Sequence, residues 1–247
     1  MSNAEALKNI RVVLCEPTHP GNIGAAARAM KTMGLAHLYL VSPARFPDPQ
    51  AEWRASRATD ILASATVRST LDEALHGVAY AVACTARTRE IAVRAETARA
   101  AASRAVDVAR SQQVALVFGN ETYGLTGEQV NRCDLIASIP ANPEYSSLNL
   151  GAAVQVLAYE VRMAALGPAA GSVPRVLATH EEVEGFYRHL EAVMTEIGFL
   201  DPRHPKKLMP RLRRLFARAE LEQEEVNILR GLLKAFRHPI KRPSGNS

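Results

Sequence analysis

The chain reads as an α/β protein: a parallel sheet layered by helices over residues 1–167, a linker over 168–179, and an all-helical extension over 180–247. Three observations in the 247-residue sequence predict this. Short β-type runs alternate with helical runs from residue 10 to about residue 166, the alternation that builds layered α/β folds. The β-type runs are apolar throughout, as in strands buried on both faces of a parallel sheet. Beyond residue 180 no strand pattern appears and only amphipathic helical periodicity continues.

The predicted strands are Ile10–Cys15, His37–Val41, Val78–Cys84, Val114–Phe118 and Leu135–Ile139, with a further short run near Thr66–Arg68. Between them, helical patterns cover Gly24–Met33, Glu96–Arg110, Gly127–Arg132 and Leu148–Leu166. The stretch from Gly167 to Pro174 holds two glycines and two prolines, which no helix continues through, so it is read as the start of the linker. After it, His180–Gly198, Pro205–Glu220 and Glu222–Arg237 read as three amphipathic helices, with Pro239–Ser247 as a frayed tail. So small a helical unit is expected to pack on the first domain or on a partner subunit.

Composition narrows the function classes. Hydrophobic residues are 47% of the chain but aromatics only 5%, so the core must be aliphatic. No apolar run approaches the roughly 20 residues that span a bilayer, and residues 1–9 lack the charged and apolar regions of a secretory leader. Cys15, Cys84 and Cys133 are far apart and form no CxxC pair, which argues against a disulfide framework or a zinc site and suits a reducing cytoplasm. No histidine or carboxylate cluster suggests a metal. A net charge of +5 fits a polyanionic partner.

Four strand-end loops could carry chemistry, because open α/β sheets bind ligands beyond the carboxyl ends of their strands. The first holds Asn22, Gly24 and Arg28; its G-x-x-G spacing and the absence of an acid after Val41 disfavour a dinucleotide site. Arg28 stands among alanines, so its guanidinium either snorkels to the surface or aims at a phosphate or carboxylate. The second is Gly119-Asn120-Glu121 with Gly124; Glu121 could accept from a ribose or amine, or cap the helix starting near Thr126. The third runs from Ile139 to Leu150 and gathers Tyr145, Ser146, Ser147, Leu148 and Asn149; Ser147 or Ser146 would cap the long helix there. The fourth follows Cys84 with Thr85 and Ala86. Separately, residues 203–218 carry seven Lys or Arg and no acid. Lys206 lies in this run, and Lys207, Arg211, Arg214 and Arg218 share one helical face beside a Leu208–Leu212–Leu215 stripe. A solvated face normally interleaves acids, so phosphate contact is the favoured reading.

In order and spacing, these segments resemble the three motifs of the SPOUT superfamily of trefoil-knotted methyltransferases, in its 2′-O-methylating branch. Asn22–Arg28 looks like the first motif, Phe118–Leu125 the second and Ile139–Leu150 the third; the resemblance covers about residues 10–166. Within the branch the chain is most similar to the bacterial tRNA (cytidine/uridine-2′-O-)-methyltransferases with a helical C-terminal extension. The resemblance implies methylation of a pyrimidine ribose at nucleotide 32 of the tRNA anticodon loop, and a deep knot that strand periodicity alone does not reveal. It implies S-adenosylmethionine as cofactor, held by Cys84, Thr85, Ala86, Gly119, Ile139, Ser146, Ser147 and Leu148, with Asn120, Glu121 and Gly124 in the same loops. It also implies an obligate homodimer in which Arg28 faces the partner's reaction centre. There Arg28 would bind the adjacent phosphate and stabilise developing alkoxide charge, while Tyr145, Ser147 and Asn149 orient the nucleotide; its use as the base instead stays open. Asn22 and the 206–218 cations are the expected RNA contacts. Two other classes compete with this reading: a non-catalytic RNA-binding module, and a nucleotide-cofactor oxidoreductase. A 2′-O-methyltransferase of another tRNA or rRNA site is the nearer alternative.

Overall fold

A computed structural model of the chain describes residues 5–86, 94–167 and 176–237. After a 3-10 turn at Ala6–Asn9, the first domain runs β1 (Ile10–Cys15), α1 (Pro20–Met33), β2 (His37–Val41), α2 (Pro49–Ala55), α3 (Thr59–Ala63), β3 (Thr66–Arg68) and α4 (Leu71–Ala74). It continues with β4 (Val78–Cys84), β5 (Ala95–Thr97), α5 (Ala98–Ala109), β6 (Gln113–Phe118), α6 (Gly127–Asn131), β7 (Leu135–Ser138) and α7 (Leu150–Leu166). The extension is α8 (His180–Glu196), α9 (Leu208–Ala219) and α10 (Gln223–Arg237). Of the expected linker and tail, residues 168–175 and 238–247 lie outside the described residues.

The sheet has seven strands in the order β3-β2-β1-β6-β4-β7-β5, and every pairing is parallel. Each central strand sends alternate residues to opposite faces, as a pleat requires. Val12, Leu14, Leu116 and Phe118 enter a core under α1, α5 and α7. Val13, Cys15, Ala115 and Val117 enter a second core under α4 and α6. Two buried faces explain why these strands are apolar at every position.

Two close approaches dictate glycine. A Cβ on Gly24 would sit 2.1 Å from the Ala51 carbonyl oxygen of α2, and one on Gly151 would sit 2.6 Å from the Ala25 methyl group. Gly24 is therefore a helix-crossing residue inside α1, not part of a ligand-binding turn; the helix already starts at Pro20, capped by His19. Three further expectations change. The region from Glu96 opens as the edge strand β5, and the helix starts only at Ala98 behind the Thr97 cap. The short helices α2, α3 and α4 carry too little periodicity to stand out. The long helix α7 is capped by Asn149, whose Oδ1 accepts from Gly151 N at 2.9 Å, and not by Ser146 or Ser147.

The extension has its own small core around Phe186, Tyr187, Val193 and Val226. It also docks on the first domain: Leu177 joins the main core, and its backbone exchanges two hydrogen bonds with the Gln112 side chain. On α9 the side chains packed inward are Met209 and Phe216, while Leu215, expected in the apolar stripe, is 49% exposed. The helix is turned because Arg213, not a leucine, is drawn inward to Glu184. None of the described helices is long and apolar enough to cross a membrane.

Candidate active site at the carboxyl ends of three adjacent strands

Strands β6, β4 and β7 are neighbours, and their carboxyl ends open onto one cavity of about 740 Å³, its mouth included. Its wall contains Cys84, Thr85 and Ala86 after β4, Gly119 to Thr122 with Gly124 after β6, and Ile139 with Ser147 and Leu148 after β7. All of these but Thr122 are predicted cofactor residues, and one predicted residue is missing from the wall: Ser146 is exposed and does not line the cavity. The apolar part of the wall, Phe118, Ala137, Leu150, Ala153 and Leu157, was not anticipated. Leu150, Ala153 and Leu157 do follow a helical 3–4 spacing at the start of α7, which is the signal that could have found them.

The 119–125 loop is rigidly built. A Cβ on Gly119 would lie 2.1 Å from the Gly124 carbonyl carbon, so the returning loop passes directly over it, and Gly124 itself has φ +71°. Asn120 is buried; it donates to the Glu16 carbonyl at 2.8 Å and accepts from Thr122 N at 2.8 Å. Glu121 does not cap α6, whose cap is Thr126 with Gln129; its carboxylate is anchored to the start of α1. It accepts from Thr18 N and Oγ1, both at 2.9 Å, from His19 N at 3.2 Å and from Asn22 Nδ2 at 3.0 Å. Burial pushes this carboxyl up, but the Asn22, Thr18 and His19 hydrogen bonds outweigh it and hold the pKa down to about 2.

Asn22 carries the connection onward: its Oδ1 accepts from Asn149 Nδ2 at 2.8 Å. The chain Glu121–Asn22–Asn149 thus ties the β6 loop, the start of α1 and the start of α7 into one unit. Asn22, expected at the RNA, is committed to this network. The Cys84 thiol is pushed far up by burial, which makes it an inert wall group rather than a nucleophile.

Arg28 and Tyr145 do not line the cavity. Arg28 is exposed on α1 without an ion-pair partner among the described residues, and Tyr145 is 80% exposed. Lys206, Lys207, Arg211, Arg214 and Arg218 are likewise exposed. The helix starts at Leu208, so Lys206 and Lys207 stand just before it, at its amino end.

A cavity lined by apolar side chains together with three loops suits a flat heteroaromatic ligand with a polar edge. Comparison with known proteins agrees. Residues 9–159 match the SpoU rRNA methylase family, and residues 181–245 match the C-terminal domain of tRNA methyltransferase TrmJ. The tRNA (cytidine/uridine-2′-O-)-methyltransferase TrmJ of Yersinia enterocolitica is 46% identical over 243 residues, covering 96% of this chain and 95% of that one. The crystal structure of TrmJ from Z. mobilis superimposes with a TM-score of 0.81 at 33% identity, covering 92% of this chain and 99% of that one. An AdoMet-bound rRNA methyltransferase from Sinorhizobium meliloti matches at 25% identity and TM-score 0.51, over 64% of this chain and 57% of that one. The chain belongs to the SpoU methylase family, with a TrmJ-type C-terminal domain following the methylase domain.

Proposed function

We propose that the chain transfers the methyl group of S-adenosylmethionine to the ribose 2′-hydroxyl of a pyrimidine in tRNA, at nucleotide 32 of the anticodon loop. One observation carries this: the methylase cavity and the tRNA-type C-terminal domain occur in one chain that is 46% identical to a tRNA 2′-O-methyltransferase along nearly its whole length. The residues present fit the cofactor. Main-chain groups of Thr85, Ala86, Gly119, Ile139, Ser147 and Leu148 would meet the polar edge of adenine, and Phe118, Leu150 and Leu157 its faces. The bound sulfonium supplies an electrophilic methyl group.

The chain's own part is positioning and charge. A ribose hydroxyl must be aligned within about 3 Å of the methyl carbon, which Tyr145, Ser147 and Asn149 serve from the loop at the cavity mouth. Arg28 neutralises the flanking phosphate and the alkoxide charge that develops on the 2′-oxygen. Because Arg28 lies off the wall of its own cavity, it serves the site of a second copy in a homodimer. The exposed Tyr159, Met163 and Leu166 on α7 support such an interface. The exposed cations of residues 206–218 hold the tRNA backbone, and the domain limits 1–167 and 180–247 separate the two tasks. A tRNA substrate is in keeping with a cytoplasmic enzyme.

Labelled S-adenosylmethionine with unmodified tRNA tests the reading. Label is expected in tRNA, mapped to a 2′-O-methylpyrimidine at nucleotide 32, and Arg28→Ala is expected to abolish it. No transfer by the wild type overturns the activity; undiminished transfer by Arg28→Ala overturns the role of Arg28.

A further inference from the structure

The stripe Gly21–Gly24–Arg28–Lys31 on α1, spaced 3, 4 and 3, lies along the segment 51–60. Gly24 abuts the Ala51 carbonyl and Arg54 Cβ, and Gly21 lies 3.5 Å from Arg54 Cγ. Farther along, Lys31 donates to the Arg57 carbonyl and to Asp60, at 2.8 and 2.7 Å. Arg28 sits between these two anchor points, one helical turn or about 6 Å beyond Gly24. Along α1 it therefore falls between the points where Arg54 and Arg57 meet the helix. All three guanidinium groups are exposed and without an ion-pair partner among the described residues, and the acid that could answer them, Asp60, is held by Lys31. Glu52 is the one exposed acid on α2.

On the rim of this patch stands Trp53, the only tryptophan in the sequence. It is 76% exposed, and the Arg54 guanidinium carbon lies 5.7 Å from its ring. Leaving an indole in water forgoes the burial that favours it elsewhere in a protein. Its mount is firm: Ala51 and Ala55 of α2 are buried, and Asp48 caps the helix by accepting from Gln50 N at 2.8 Å. A firm, exposed indole next to free guanidinium groups is the surface on which unstacked RNA bases settle, the base on the ring and its phosphate on the cation.

We propose that Trp53 and Arg54 form a platform that stacks an unpaired nucleotide of the substrate RNA and grips its phosphate, next to the nucleotide whose phosphate meets Arg28. This rests on the methyltransferase reading, because it needs an RNA loop at Arg28. The platform shares no residue with the cofactor cavity, so it affects the RNA side of the reaction alone.

Because the chain has one tryptophan, the wild-type full-length protein reports on the contact directly. Titration with unmodified tRNA is expected to quench Trp53 fluorescence, with a midpoint equal to the KM for tRNA in the methylation assay. S-adenosylmethionine alone is expected to leave the emission unchanged. Trp53→Ala is expected to raise the KM for tRNA about tenfold with the KM for S-adenosylmethionine unmoved, as loss of one base stack would, and Trp53→Phe to restore most of it. An emission unchanged while methylation saturates, or a Trp53→Ala KM equal to wild type, overturns the proposal; so does a change of oligomeric state in Trp53→Ala, which would make Trp53 a subunit contact. Failure of the methyltransferase reading looks different: quenching by tRNA without any methyl transfer.

Discussion

Arg132, the residue that ends α6 in the sheet domain, donates to Glu184 on α8 of the helical extension at 2.9 Å. Arg213 of α9 grips the same carboxylate from the other side, at 2.8 Å through Nη2, while its guanidinium lies 4.3 Å from the Tyr187 ring. The Glu184 side chain is only 8% exposed. This triad joins the two domains and sets the rotation of α9 that turns its remaining cations outward.

Glu184→Gln is expected to destabilise the protein by about 3 kcal/mol in urea unfolding, since it leaves the half-buried Arg213 without its anion, while Arg132 keeps Asp72 and Glu128 within 3.3 and 3.5 Å. The pH dependence has a defined sign. Burial raises the Glu184 pKa, but the Arg213 hydrogen bond and the Arg213 and Arg132 charges outweigh it and hold the pKa below the ordinary 4.5. The stabilisation is therefore complete above pH 4.5 and lost as pH falls through the lower folded-state value. The wild type should lose its advantage over Glu184→Gln in that window; a constant gap down to pH 2 would contradict the assignment.

Asn149 does two jobs that can be separated. Asn149→Ala removes both the α7 cap and the bond to Asn22, and is expected to cost about 1 kcal/mol in stability together with most of the activity. Asn149→Ser keeps a capping oxygen but lacks the amide nitrogen that reaches Asn22. Its unfolding midpoint should stay near wild type while kcat falls about tenfold or more, the scale of a misplaced reacting group. Equal activity in Asn149→Ser would assign the residue to capping alone.

Gly119→Ala places a methyl group into the main chain of Gly124 and Leu125. Backbone cannot yield as a flexible side chain can, so the loop must shift. S-adenosylmethionine affinity, read by calorimetry, should fall at least about tenfold, with a stability loss of roughly 1–3 kcal/mol. Unchanged affinity would mean that the loop does not contribute to the pocket.

The paired change Lys207→Ala with Arg211→Ala should weaken tRNA binding and reduce the slope of log affinity against log salt by about two. Affinity for S-adenosylmethionine should not change. A slope equal to wild type would show that this face is merely solvated.

The strands and the cavity loops were legible because burial on two faces and ligand binding at strand ends leave local marks in sequence. β5 left none: its three residues, Ala95–Thr97, are an edge strand of polar character fused to a helix. The role of Gly24 was not legible, because glycine looks the same whether a ligand or another helix approaches it. The network of Glu121 and Asn22 left no mark because its partners are far apart in the chain, Asn22 meeting Glu121 and Asn149 across sequence separations of 99 and 127. Arg213 looked like one more surface cation for the same reason, since only the fold brings Glu184 to it. Long-range pairing of polar residues has no period, so sequence pattern cannot register it.

The four hydrogen bonds accepted by Glu121 have a consequence for ligand entry. With that carboxylate anchored to Thr18, His19 and Asn22, the loop is immobilised when the protein folds, before any small molecule arrives. An incoming ligand then loses its own freedom without also having to freeze this wall of its site, so more of the contact energy survives as affinity. On this side the pocket is a socket cast in advance.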